Sequence, residues 1–231
     1  MNFLIDSLKL IVSLDPDLYE IIWLSLRISF SALLISCIIG LPISGLLSST
    51  NFYGKRTLII FFNSMMALPP VFVGLILYLL FSSTGALGFL NLLYTPSVMI
   101  VAQVIIILPV IISISTELLE QIFMEYKEIF DSFDVKLKNR IKTTVFDARI
   151  PLVTCVLTGL GRALSEVGAI IIVGGNIIHY TRVMTTTIAL ETSKGNLEMA
   201  MSLGIVLILI SIGINTIVMI MKMLAKKYSY D

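Results

Sequence analysis

The chain has 231 residues, 57% of them apolar and 13% charged, with a formal net charge of +1 and a mean hydropathy of +1.00. A soluble domain carries roughly 25% charged residues, and here no Asp, Glu, Lys or Arg occurs anywhere from Thr57 to Thr116. A bilayer-crossing helix needs about 20 such residues, so this stretch excludes a soluble core and holds two spans, and nothing in the charge pattern points to nucleic acid.

Residues 1–14 are too short and too polar for a cleaved leader, because Asp6 and Lys9 interrupt the apolar stretch. Their polar and apolar residues fall on opposite helical faces, which predicts a short helix lying on the membrane surface. Asp15-Pro16 then offers an N-cap and a proline for the first helical position. The first span is expected at about 21–48, where Ser36, Gly40, Ser44 and Ser48 form a small-residue stripe for close packing. The second, at about 57–81, contains Pro69-Pro70 and must kink. A loop with a short helical turn near Leu87–Leu93 leads to the third span, about 98–116. The hydrophilic segment 117–149 follows, then a fourth span at 150–173, a mixed loop at Gly174–Glu198 and a fifth span at 199–221. The pattern is that of an all-α, polytopic membrane helix bundle with five transmembrane helices, one domain and no internal repeat. Cys37 and Cys155 fall inside apolar runs at a spacing that matches no metal or redox motif.

Orientation follows from the basic residues. With five crossings, Lys55, Arg56, Lys127, Lys136, Lys138, Arg140, Lys142, Arg149, Lys222, Lys226 and Lys227 share one side, eleven of the sixteen. That side should be cytoplasmic, placing the N-terminus outside and the C-terminus inside.

Three features carry mechanism. In 117–149, apolar Ile129, Phe130, Phe133, Val135 and Leu137 alternate with Glu128, Asp131, Asp134, Lys136 and Lys138. Two short helices turning near Asp134 would offer an apolar and charged knob to a partner. Arg162 and Glu166, four residues apart in the fourth span, can pair on one helix face, as a structural ion pair or as part of a pathway. Gly161, Ser165 and Ala169 make an adjacent stripe suited to close packing. The loop at 174–198 offers Asn176, Arg182 and Thr185, which could receive an oxyanion. Its His179 is the lone histidine, and reads as a surface residue with no metal site. Gly54-Lys55-Arg56 lacks the upstream glycine and the following Ser or Thr of a phosphate loop, and no catalytic set is present, so the chain is expected to have no means of using ATP by itself.

The layout resembles the permease subunits of type I ABC importers, and within them the tungstate and molybdate branch. The resemblance rests on Met66–Leu75 (MALPPVFVGL), Gly161–Ala169 (GRALSEVGA), Val173-Gly174-Gly175-Asn176 to Tyr180-Thr181-Arg182-Val183, and Ala189–Asn196 (ALETSKGN). It implies the five-helix core of that family, a homodimer of permeases in a bacterial or archaeal cytoplasmic membrane, cytoplasmic ATPase subunits holding ATP and magnesium, and an external binding protein that delivers a tetrahedral oxyanion. No cofactor would be bound by this chain. The family's coupling helix carries Glu-Ala-Ala with a glycine six residues after the glutamate. Here Glu128 falls on the glutamate, Ile129 and Phe130 replace the alanines, and Asp134 replaces the glycine. The family's Ile-x-Leu-Pro becomes Thr144-Val145-Phe146-Asp147, with Pro151 displaced. A secondary transporter, a permease for another anion such as sulfate, and a membrane-anchored assembly or signalling subunit are the competing expectations.

Overall fold

In the computed structural model, residues 15–227 are described, so the surface helix expected at 1–14 lies outside the described residues. The first helix, α1 (Pro16–Ser49), starts where the sequence places its cap: Asp15 Oδ1 accepts from the Asp17 and Leu18 backbone N–H at 3.0 and 3.2 Å. That satisfies two of the four orphan donors of the first turn. Helices α2 (Lys55–Met65) and α3 (Pro70–Phe81) follow, then α4 (Pro96–Ser132), α5 (Leu137–Asp147), α6 (Arg149–Ser165), α7 (Gly168–Gly174), α8 (Met184–Lys194) and α9 (Leu197–Lys227).

The most extensive helix pair is α1 with α4. Gln103 Nε2 reaches Ser29 Oγ near one end, and Ser44 Oγ reaches the Ile112 carbonyl further along, so the two helices run parallel. The small-residue stripe is what brings them together. Ser36, Ser44 and Ser48 are buried, and a Cβ on Gly40 would lie 3.0 Å from Ile111 Cγ2. Hydrophobicity cannot drive helices together inside lipid, so such close backbone approach carries the association.

Between α1 and α4 the chain returns through α2 and α3, which meet at 96° across the Ala67-Leu68-Pro69 break. The expected kink is thus a near right angle. Pro69 and Pro70 lack the N–H groups that would continue the ladder. Helix α6 runs back against α4, with Gly159 beside Ile107 and Ile111 and the Ala163 carbonyl accepting from Gln103 Nε2 at 3.0 Å. Helix α9 returns along α1 and α6 through Leu203, Leu207, Ile210 and Ile214. Among the described residues three helices, α1, α4 and α9, are long and apolar enough to cross a bilayer, and the bent pairs α2–α3 and α5–α6 raise the count to as many as five. One end of the bundle carries Lys55, Glu120 and α5, and is called the basic end below.

Four expectations change. The third span does not stop at Thr116: α4 runs 37 residues without a break, so the first short helix expected in 117–149 is its continuation. Hydropathy marks where lipid ends, while Glu117–Ser132 are good helix formers that have no reason to unwind in water. The fourth span is broken: α6 ends at Ser165 and α7 begins at Gly168. Alone, 17 residues of α6 span about 26 Å at 1.5 Å per residue, short of the roughly 30 Å core. The mixed loop contains α8. In the stripe on the fourth span, Ala169 is buried beyond the break, but Gly161 and Ser165 are exposed, and a Cβ on Gly161 would meet nothing within 4 Å.

Candidate functional site

The basic end presents an elbow. Helix α4 ends at Ser132, the chain turns through Phe133-Asp134-Val135-Lys136, and α5 folds back. Asp134 sits at φ 45°, in the left-handed region. This is the position that carries glycine in the coupling helix the sequence resembles, and aspartate is among the few side chains that tolerate such a turn. Arg140 clamps the turn: Nε donates to the Val135 carbonyl at 2.6 Å, Nη2 to the Phe130 carbonyl at 3.1 Å, and Nη1 to Asp131 Oδ1 at 2.6 Å. Its guanidinium carbon lies 5.8 Å from the Phe130 ring centroid. A planar fork with five donors in fixed directions holds these three spread acceptors at once, a geometry that the compact ammonium of lysine does not reproduce. At the base of the elbow Tyr126 hydrogen-bonds the Asp147 carboxylate, which pushes the phenol pKa above its ordinary value. Gly45 of α1 abuts Ile141, seating α5 on the bundle.

Of the residues expected to dock a partner, Phe133 is 78% exposed, and Glu128, Asp134 and Lys136 are exposed as well. Phe130 is not. It is 5% exposed, stacked with Phe123 and Tyr126 at centroid distances of 5.9 and 5.7 Å, and serves as the elbow's own core. The exposed apolar surface is instead Ile129, Phe133, Leu137 and Phe146.

Within the bundle, the expected Arg162–Glu166 pair does not form. The helix break swings Glu166 into extended backbone at φ −74°, ψ 128°, and its Oε1 accepts from the Ala169 N–H at 3.2 Å, capping α7. Glu166 is 4% exposed, and its carbonyl accepts from Thr185 Oγ1 at 2.8 Å. Arg162 stays on α6, half-buried, and among the described residues no hydrogen bond or ion pair engages its guanidinium. Gln103 is the residue that sequence reasoning passed over: 2% exposed, it ties α4 to both α1 and α6. The available signal was that Gln103 is the one amide within the expected third span, 98–116.

At the opposite end the structure divides the three loop residues. Asn176 (φ 51°) accepts from Thr186 Oγ1 at 2.9 Å, tying the end of α7 to α8, while Thr185 reaches Glu166 at the break. Arg182 lies apart, lining a small cavity with Asp17, Glu20 and His179. His179 Nδ1 and Glu20 Oε2 are 2.6 Å apart, and this hydrogen bond raises the imidazole pKa above its ordinary value. Asp17, Glu20 and His179 could each offer one ligand atom to a metal ion, within 4.8 Å of one another, but all three are exposed. Glu191 is held below the usual carboxylate range, chiefly by its hydrogen bond from Lys194.

Between α2 and α4 lies a cleft of about 510 Å³ lined by Ile59, Asn63, Met66, Ser113, Thr116, Glu117 and Glu120. The Lys55 Nζ–Glu120 Oε1 pair, 2.8 Å, joins the two helices at the basic end. Ser113 and Thr116 leave buried hydroxyl oxygens unbonded there, as polar groups beside a wet space do.

Comparison with known proteins agrees with this architecture. No protein-family profile matches the chain. It is 37% identical over 212 residues to a tungstate uptake system permease protein of Peptoclostridium acidaminophilum, covering 92% of this chain and 93% of the relative. It is 37% identical over 192 residues to a probable anion ABC transporter permease of Haloferax volcanii, covering 81% and 83%. A sulfate transport system permease of Escherichia coli K12 is more distant, 25% identical over 172 residues, covering 71% of this chain and 58% of that one. With this identity over nearly its full length, and with helices long and apolar enough to cross a bilayer, the chain belongs to the multi-pass membrane permeases of ATP-binding-cassette uptake systems, in the tungstate uptake branch.

Proposed function

We propose that two copies of this chain form the membrane pore of an importer for tungstate, driven by separate ATPase subunits at the basic end and supplied by a binding protein at the other. The observation that carries the reading is the elbow: exposed Ile129, Phe133 and Leu137 sit on a turn clamped by Arg140, and the turn is continuous with a spanning helix. Such a knob transmits force only if it is rigid, and the clamp makes it so. The basic end faces the cytoplasm, in keeping with the lysine and arginine bias. The chain itself is non-catalytic, and ATP and its magnesium are held by the partner subunits. A single bundle of five crossings encloses no continuous passage, so a two-fold pair is needed. Its rocking opens the path alternately to the two sides.

Tungstate is preferred over molybdate and sulfate because the relatives with high identity are named for tungstate, whereas the sulfate permeases are distant. The delivering protein does most of the choosing among such similar dianions. The test is reconstitution with the ATPase and binding protein in liposomes. Phe133→Ala, and separately Glu128→Ala, should leave insertion intact yet lower tungstate uptake about tenfold, as the loss of one anchoring aromatic or charge at an interface does. Wild-type uptake in both variants would remove the docking role.

A further inference from the structure

We propose that Arg162, with Thr158 and Ser165 beside it, forms one half of an intramembrane binding site for a tetrahedral dianion, the other half being the same three side chains of the second copy. This rests on the dimeric importer reading above. Thr154, Thr158, Gly161 and Ser165 recur at helical spacing along α6, and all four are exposed, with Arg162 on the flank of that face. The level is fixed by Ala163, whose carbonyl bonds Gln103, well inside the apolar length of α4. An arginine and three hydroxyls at that depth are costly against lipid, so this face turns to protein or to water. Thr158, Gly161 and Ser165 are exposed among the described residues, and a Cβ on Gly161 would meet nothing within 4 Å.

The charge is what makes it a site rather than a packing seam. Glu166 was the one carboxylate placed to neutralise Arg162, and the break at Ser165 commits it to capping α7 instead. Among the described residues the guanidinium therefore keeps its donors without a partner. Thr158 and Ser165 now donate only to backbone carbonyls of their own helix, Thr154 at 3.0 Å and Arg162 at 3.2 Å. Each hydroxyl can turn its single proton outward to a ligand. A two-fold pairing across this face would bring two guanidinium groups to one axis. Their repulsion is relieved by an anion of two negative charges, the charge of the proposed cargo. The occupied state is transient, because only two planar donors and a few hydroxyls hold the ion and no backbone cage encloses it.

The test uses the complete complex of permease, ATPase and binding protein in liposomes, reading tungstate uptake and binding-protein-stimulated ATP hydrolysis side by side. Arg162→Gln should lower uptake by roughly tenfold or more, the scale of one lost charge-assisted contact, while stimulated hydrolysis stays within about twofold; Arg162→Lys should recover most of the uptake. Equal loss of both activities would mark Arg162 as a packing residue and overturn the proposal. Full uptake by Arg162→Gln would do the same, leaving the importer reading intact. Absence of tungstate uptake by the wild-type complex would instead sink that reading. Where Arg162→Gln does not assemble, Ser165→Cys in a Cys37→Ala, Cys155→Ala background takes over. Its reaction with a membrane-impermeant thiol reagent, slowed by tungstate-loaded binding protein, supports the site, and no reaction in any state overturns it.

Discussion

Asp134 sets the geometry of the elbow. Its φ of 45° costs a side chain with a Cβ something that glycine escapes, and aspartate limits the cost because its short polar group suits that region. Asp134→Gly should therefore hold or raise stability by up to about 1 kcal/mol, and Asp134→Val should lower it by about 1–2 kcal/mol, both read from thermal unfolding in detergent. The resemblance sets Asp134 opposite the family's glycine, and a φ of 45° is a conformation that glycine adopts without strain. Phe130 could not be judged in the same way. It and Phe133 lie three residues apart in an amphipathic stretch, and only the fold-back of α5 decides that one is stacked and the other bare. Arg140 was hidden for a related reason, since its three acceptors lie five, nine and ten residues away and become neighbours only once the turn exists.

Between elements, the decisive contact is α3 against α7. These carry two of the segments on which the family resemblance rests, and they touch through glycine. A Cβ on Gly74 would stand 2.8 Å from Ala169 Cα, against backbone that cannot yield, while one on Gly168 would meet Val71 Cγ2 at 2.6 Å. Val71 is 57% exposed and free to turn outward. Gly74→Ala should lower stability by about 1–3 kcal/mol through overpacking, and Gly168→Ala by distinctly less, measured as unfolding midpoints of the purified protein. The start of α1 and the double-proline kink were legible because Asp15-Pro16 and Pro69-Pro70 are local signals, whereas apolar length alone marked neither the end of α4 nor the break after α6. The break at Glu166 has no proline to announce it. It arises because a buried carboxylate finds the free N–H of Ala169, and because Gly168 lets α7 close on Val71, both consequences of packing between distant segments. The i, i+4 spacing of Arg162 and Glu166 presumed an unbroken helix, and so pointed to a pair that the fold separates.

At the scale of the whole molecule, the importer reading proposed above puts the elbow and the His179 loop on opposite sides of a membrane. In a Cys37→Ala, Cys155→Ala background, Phe133→Cys should react with an impermeant thiol reagent only after cells are opened. His179→Cys should react in intact cells. The reverse pattern would place the elbow outside, where no ATPase could reach it. Glycine and serine at the α1–α4 contact, and glycines where α3 meets α7, leave the backbones close enough for the bundle to move as packed bodies.

The unbroken course of α4 has a geometric corollary. Thirty-seven residues at 1.5 Å each make a rod about 55 Å long, and tilting it by roughly 5° about its midpoint carries each tip about 2 Å, in opposite senses. A lever pivoted in the bilayer needs no separate latch to keep both mouths from gaping together: whatever draws the inner tip toward the axis swings the outer tip away from it.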